Sequence, residues 1–98
     1  MMGAQAAQSV PKLPRGVKLR FDGTRQKWFL LGPERVFEPD EIATEILQRI
    51  DGARSLAAII RELASEFGAP EAEISGDVGE FVDKLVGIRM LELSRPAS

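Results

Sequence analysis

From position 17 to position 22 apolar and charged side chains alternate with a period of two, short apolar runs set between turns continue to position 37, and from position 42 onward apolar residues recur at three and four. The chain therefore reads as a strand-rich half followed by a helical half. Val17-Lys18-Leu19-Arg20-Phe21-Asp22 has the alternation of a half-buried strand, and Asp22-Gly23-Thr24 supplies turn chemistry. Gln26 to Leu31 follows as a second strand, whose dense end Trp28-Phe29-Leu30-Leu31 suits a central position with both faces covered. Gly32-Pro33 turns the chain again. Glu34 to Glu38 then reads as a very short third strand between Pro33 and Pro39, with Val36 on one face and Arg35 and Phe37 on the other. In a simple meander this third strand lies at an edge and one side of its backbone lacks a partner. Such edges are either protected or used to bind an extended peptide.

The rest of the pattern is helical. Asp40 is a good N-cap for a first helix whose Ile42, Ile46, Leu47 and Ile50 form one stripe, ended by Asp51-Gly52. Ser55 caps a second, with Leu56, Ile59, Ile60, Leu63 and Phe67 on one face and Gly68 as its stop. Pro70 suits the first turn of a third helix, running to about Val86, with Ile74, Val78, Phe81 and Leu85 as its main stripe. Met90 to Leu93 adds a short extended piece. Gly76 and Gly79 in the third helix each cost about 1 kcal/mol relative to alanine. Ser75, Gly79, Val82 and Val86 form a small-residue shoulder beside the main stripe, which either admits a foreign backbone or packs closely on another helix.

The fold class is thus α+β: a three-stranded antiparallel sheet followed by a three-helix bundle, winged-helix-like in outline. Residues 1–14 read as a flexible tail or linker, 15–94 as the folded domain and 95–98 as a second tail. Pro11 and Pro14 make a P-x-x-P spacing, better taken as a stiff lead-in than as a ligand for an SH3 domain.

Composition narrows the function. Cysteine, histidine and tyrosine are all absent, so catalysis would rest on carboxylates, lysines or serines alone, and thiolate metal sites are excluded. No glycine-rich phosphate loop or nucleophile elbow is present, and the five acids Glu71, Glu73, Asp77, Glu80 and Asp83 of the third helix read as a solvated face. The expectation is a protein without catalytic activity, cofactor or metal. No apolar run has the length to span a bilayer, which makes the cytoplasm the default location.

Residues 1–35 carry seven cations against two carboxylates, a surplus of five, while the remainder has a deficit of seven that brings the total to −2. A winged-helix nucleic-acid binder would have the opposite arrangement, because its docking helices must approach phosphates. Here Ser55 to Phe67 has only Arg61 against Glu62 and Glu66. Nucleic-acid binding through the basic strands, with Trp28 as a stacking platform, and an oligomerisation or scaffold role are the alternatives to peptide binding.

The block Arg15-Gly16-Val17-Lys18-Leu19-Arg20-Phe21-Asp22, followed by Arg25-Gln26-Lys27-Trp28-Phe29-Leu30-Leu31-Gly32-Pro33-Glu34-Arg35-Val36, and later by Ile46-Leu47, Asp51-Gly52 and Ser55 to Ile60, resembles protein D of pyrroloquinoline quinone (PQQ) biosynthesis. The likeness extends from Pro11 to Leu93. It implies a RiPP recognition element: a peptide chaperone that binds the ribosomally made precursor peptide, protein A, by strand addition. Such a module presents that peptide to the radical S-adenosylmethionine (radical SAM) enzyme, protein E. On this sequence the peptide would pair with Glu34, Arg35, Val36 and Phe37, and Gly79, Val82, Leu85 and Val86 would floor its groove. Arg35 would also meet a precursor carboxylate. The resemblance is compatible with fusion to the PQQ synthase, protein C, with the Ala/Gln-rich start as linker, and with a monomer or weak homodimer. It implies neither a nucleic acid nor a membrane partner. Gly32 departs from the alanine common in that family, and the glycines of the third helix depart from its usual density.

Overall fold

A computed structural model describes residues 8–94. Strands β1 (Val10–Lys12), β2 (Lys18–Asp22), β3 (Lys27–Leu31) and β4 (Val36–Phe37) precede helices α1 (Glu41–Gln48), α2 (Leu56–Phe67) and α3 (Glu71–Gly87), and β5 (Glu92–Ser94) closes the described chain. The meander β2-β3-β4 is antiparallel throughout. The α+β class expected from the sequence is the one observed.

One element departs from the reading of residues 1–14 as tail or linker. Val10–Lys12 is a strand that pairs antiparallel with β5, Val10 opposite Ser94 and Lys12 opposite Glu92. Three residues centred on a proline carry no alternation to read, and their partner lies at the other end of the chain. Pro11 is fully buried, and the Leu56 N–H donates to the Ser9 carbonyl at 2.9 Å, which fastens this ribbon to the start of α2. The expected tail at 95–98 lies outside the described residues.

Local chemistry sets the element ends. Asp22 Oδ1 accepts from the N–H groups of Thr24 and Arg25, and Gln26 takes a left-handed conformation (φ 57°), so β3 begins at Lys27 rather than Gln26. Asp40 Oδ1 caps α1 by accepting from Ala43 N–H at 2.8 Å, and Ser55 Oγ caps α2 by accepting from Ala58 N–H at 3.1 Å. Gly68 ends α2 at φ 62°, a conformation glycine adopts without strain. Arg49, just after α1, bonds Glu45 at 2.7 Å and also Glu66 of α2, which holds those two helices together across their exposed edge. These contacts raise the Arg49 pKa above its ordinary value, with the Glu45 hydrogen bond as the largest cause.

The core lies between the sheet and the helices. Leu30 is the fully buried residue of the meander, and Ile46, Leu47, Leu56, Ile59, Leu63, Val78, Val82, Leu85, Met90 and Leu91 surround it. Burying a side chain of that size contributes about 2 kcal/mol, so Leu30 is the main anchor of β3 and, through it, of β4. Leu31 stands on the other face and is exposed, so β3 is covered on one side only, contrary to the sequence reading.

Gly76 on α3 is exposed, and a Cβ built there would meet nothing within 4 Å. Close packing therefore gives no reason for a glycine at this position. Gly76→Ala should raise stability by about 0.5–1 kcal/mol, read as a higher denaturant midpoint at unchanged slope. A lower midpoint would show that the glycine answers a structural need.

Candidate functional site

Strand β4 pairs only with β3, through Leu31 opposite Val36 and Leu30 opposite Phe37. The Pro33-Glu34 turn between them is closed by Gly32 N–H donating to the Arg35 carbonyl at 2.8 Å. Hydrogen-bonded and non-hydrogen-bonded pairs alternate along an antiparallel ladder. Since Gly32 and Arg35 form a bonded pair, Leu31 and Val36 form an unbonded one, and Leu30 and Phe37 are bonded again. The backbone groups of Phe37 therefore face β3, while the N–H and C=O of Val36 point away from the sheet. Among the described residues no strand lies beyond β4, and Val36 is 66% exposed.

Gly32 also explains its own departure from the alanine expected by resemblance. A Cβ there would lie 2.7 Å from Met90 Sδ, so the buried Met90 fills the space a larger residue at 32 would need. That close approach seats the β3–β4 turn on the segment following α3.

On the helix side, Phe37 faces α3. Its ring centre is 6.0 Å from that of Phe81, and Lys84 Nζ lies 5.2 Å above the same ring. Between β4, the start of α1 and α3 opens a cleft of about 800 Å³, with Phe37, Ile42, Ile46 and Phe81 as its apolar lining and Glu38, Asp40, Asp77, Glu80, Asp83 and Lys84 around it. Asp77, Phe81, Lys84 and Ile88 follow one another at helical spacing, so one face of α3 runs the length of this side. Ile88 belongs to a smaller hollow of about 350 Å³ at the opposite end of β4, with Arg15, Pro33, Glu34, Arg35 and Arg89.

The structure divides the expected site residues into two groups. Glu34, Arg35, Val36 and Phe37 all lie along the edge or in the two hollows beside it. Gly79, Val82 and Leu85 are instead buried on α3, with Val82 and Leu85 in the core cluster. Val86 lines a separate depression with Lys12, Leu91 and Leu93, against the β1–β5 ribbon. None of these four lines the cleft. The small-residue shoulder is displaced by two positions from the Asp77-Phe81-Lys84 face, a rotation of about 200°. Ser75, which begins that shoulder, stands beside Ala57 and Ile60 of α2.

Three cleft residues were missed. Ile42 and Phe81 carry the helical spacing of core residues and were read as such, although Ile42 is 39% exposed and Phe81 half-buried. Lys84 is the lone cation of α3 and had no other signal. The basic strands form no stacking platform: Trp28 packs edge-to-face on Phe21 at 5.3 Å between centroids, and Arg25 lies 5.8 Å over Phe29. Among the described residues no group of three or more His, Cys, Asp or Glu is arranged to hold a metal ion.

Comparison with known proteins gives one consistent result. The family model described as coenzyme PQQ synthesis protein D (PqqD) matches residues 27–91. A PqqA binding protein of Rhodopseudomonas palustris strain BisB5 is 51% identical over 90 residues, covering 92% of this chain and 88% of that protein. One from Xanthomonas oryzae pv. oryzae strain KACC10331 is 50% identical over 92 residues, covering 94% of this chain and all of that protein. The solution structure of the PqqD truncation of Methylobacterium extorquens PqqCD, described as a stand-alone RiPP recognition element, aligns with a TM-score of 0.77 at 39% identity, over 91% of this chain and 95% of that one. The crystal structure of PqqD from Xanthomonas campestris aligns with a TM-score of 0.57 at 43% identity, over 94% and 99% of the two chains.

The ladder register gives a direct test by amide hydrogen exchange in the free protein. Phe37 N–H, bonded to Leu30, should exchange at least about tenfold more slowly than Val36 N–H, which faces solvent. The reverse order would mean that the edge presents Phe37, one residue out of register.

Proposed function

This chain belongs to the PqqD family, the coenzyme PQQ synthesis protein D family, and from that premise we propose that the outer edge of β4 is where it receives PqqA. The chain is a peptide-binding chaperone of PQQ synthesis. The observation that carries the location is the outward-pointing N–H and C=O of Val36 beside a cleft lined by Phe37, Ile42 and Phe81. An extended segment laid there would complete the ladder, giving affinity that does not depend on side chains. Alternate side chains of the segment would enter the cleft, giving selectivity. Backbone pairing sets the place and the pockets set the sequence.

In this reading Glu34, Arg35, Val36 and Phe37 line the bound strand, and Ile42, Phe81 and Lys84 replace the α3 residues that the sequence suggested. The protein works without catalysis. The binding-protein and recognition-element names of its relatives support that. Delivery of the bound peptide to the radical SAM enzyme, protein E, is the step that a non-catalytic holder of PqqA implies. The family resemblance supports that step, and also operation in the cytoplasm. No described helix is long and apolar enough to cross a membrane. Fusion to protein C is supported by the PqqCD origin of the Methylobacterium structure.

Val36→Pro removes the outward donor without taking a hydrogen bond from the sheet, whereas Val36→Ala keeps the donor and trims an exposed side chain. Titration calorimetry with PqqA should show at least about tenfold weaker binding for Val36→Pro and a change within about twofold for Val36→Ala, with both variants folded by circular dichroism. Unchanged affinity of Val36→Pro would place PqqA elsewhere on the protein.

A further inference from the structure

Two hollows that share no lining residue lie toward the two ends of β4 and carry opposite charge. The one at the Arg35 end holds Arg15, Arg35 and Arg89 against Glu34, and the cleft at the Phe37 end holds Asp77, Glu80 and Asp83 of α3 against Lys84. Among the described residues none of these three arginines and none of these three acids takes part in an ion pair. The pairs that do form involve Arg49, Arg54, Lys12, Arg25 and Lys27, the last with Glu38 at the rim of the cleft. A cleft with a surplus of acids and a hollow with a surplus of cations therefore lie at opposite ends of β4.

Geometry ties the two ends into one track. Arg35, just before β4, and Phe37 are two residues apart and so fall on one face of the extended chain. Asp77 on α3 and Ile88, the residue that caps its C-terminus, mark the ends of the facing stripe, eleven residues or about 16 Å apart at 1.5 Å per residue. An extended chain covers that distance with about five residues at 3.3 Å each. A segment lying along it has one end among carboxylates and the other among guanidinium groups.

We propose, resting on the reading that PqqA enters this cleft, that the groove selects a stretch of PqqA of about five residues with cationic groups toward one end and carboxylates toward the other, and that this charge order fixes the direction in which the peptide lies. The cationic end sits by Asp77, Glu80 and Asp83. The carboxylate end sits by Arg15, Arg35 and Arg89. Backbone ladders form in either direction, parallel or antiparallel, so the hydrogen bonds of Val36 do not choose between them. Reversing the segment would set like charges together at both ends, a penalty that the apolar floor cannot offset. A second copy of this chain is the competing occupant, since antiparallel β4–β4 pairing would also bring each basic end to an acidic one.

Synthetic PqqA in three forms tests this: unaltered, with every Lys and Arg changed to Gln, and with every Asp and Glu changed to Asn or Gln. Each is titrated calorimetrically, at low salt, into the unmodified protein, Asp77→Lys/Glu80→Lys, and Arg35→Glu/Arg89→Glu, with thermal melts to confirm folding. Each double reversal should weaken unaltered PqqA about tenfold. The acid-end reversal should cost nothing against the peptide lacking cations, and the arginine-end reversal nothing against the peptide lacking carboxylates. Losses under twofold, losses that persist with the neutralised peptides, or effects confined to self-association of the protein would overturn the proposal. Val36→Pro, run alongside, separates the two layers: if it binds PqqA normally, the location itself is wrong; if it does not bind while the reversals are silent, only the charge order is wrong.

Discussion

The proposed peptide site of this small domain depends on which way one peptide unit faces. The two-residue turn at Pro33-Glu34, closed between Gly32 and Arg35, sets the register of β4 on β3, and that register turns the backbone of Val36 outward. A one-residue slip would turn Phe37 outward in its place and move its side chain off the helix-side face. Leu30, fully buried and opposite Phe37, holds the register from the core side, and Met90 under Gly32 holds the turn. The open edge is therefore as well determined as the core is, although its strand is only two residues long.

Exposed edges are hazards, and proteins usually blunt them with charge, proline or a covering element. Here Pro33 and Pro39 confine the edge to a few residues, and α3 stands beside it without closing over it. The result is a slot rather than a flat strand, with Phe37 and Phe81 as its apolar walls and Lys84 above the Phe37 ring. The helices hold nine of the fifteen acids of the chain, whereas residues 1–35 hold seven of its thirteen cations. Because β4 crosses from one region to the other, the slot inherits that asymmetry.

Much of this was legible in the sequence because its signals are local. The strand Lys18 to Asp22, the caps at Asp40 and Ser55 and the stop at Gly68 each depend on neighbours within a few positions, and each appears where expected, except that Phe21 of the strand's apolar face is 48% exposed. The edge position of β4 was legible because three consecutive strands leave the last one outside. What was not legible depends on distant contacts. The β1–β5 ribbon joins opposite ends of the chain, and Val10–Lys12 has no pattern of its own. The face of α3 that meets the cleft could not be chosen from a helical wheel, since a wheel gives angles between residues but no absolute direction. Small residues suggested room for a visitor, whereas Gly79 and Val82 are buried and Val86 faces the β1–β5 ribbon; Ile42 and Phe81 looked like core because an apolar residue at helical spacing is the same signal whether it meets a helix or an empty groove.

The central claim is that a hydrogen bond forms between Val36 and an added strand, and it can be observed directly. With protein labelled in nitrogen-15 and PqqA labelled in carbon-13, a scalar coupling transmitted through the hydrogen bond should connect Val36 N–H to a carbonyl carbon of the peptide. No such coupling should arise from Phe37 N–H, whose partner is Leu30. A complex in which Val36 shows no coupling, while intermolecular contacts gather on α2 or on the outer face of β2, would contradict the account.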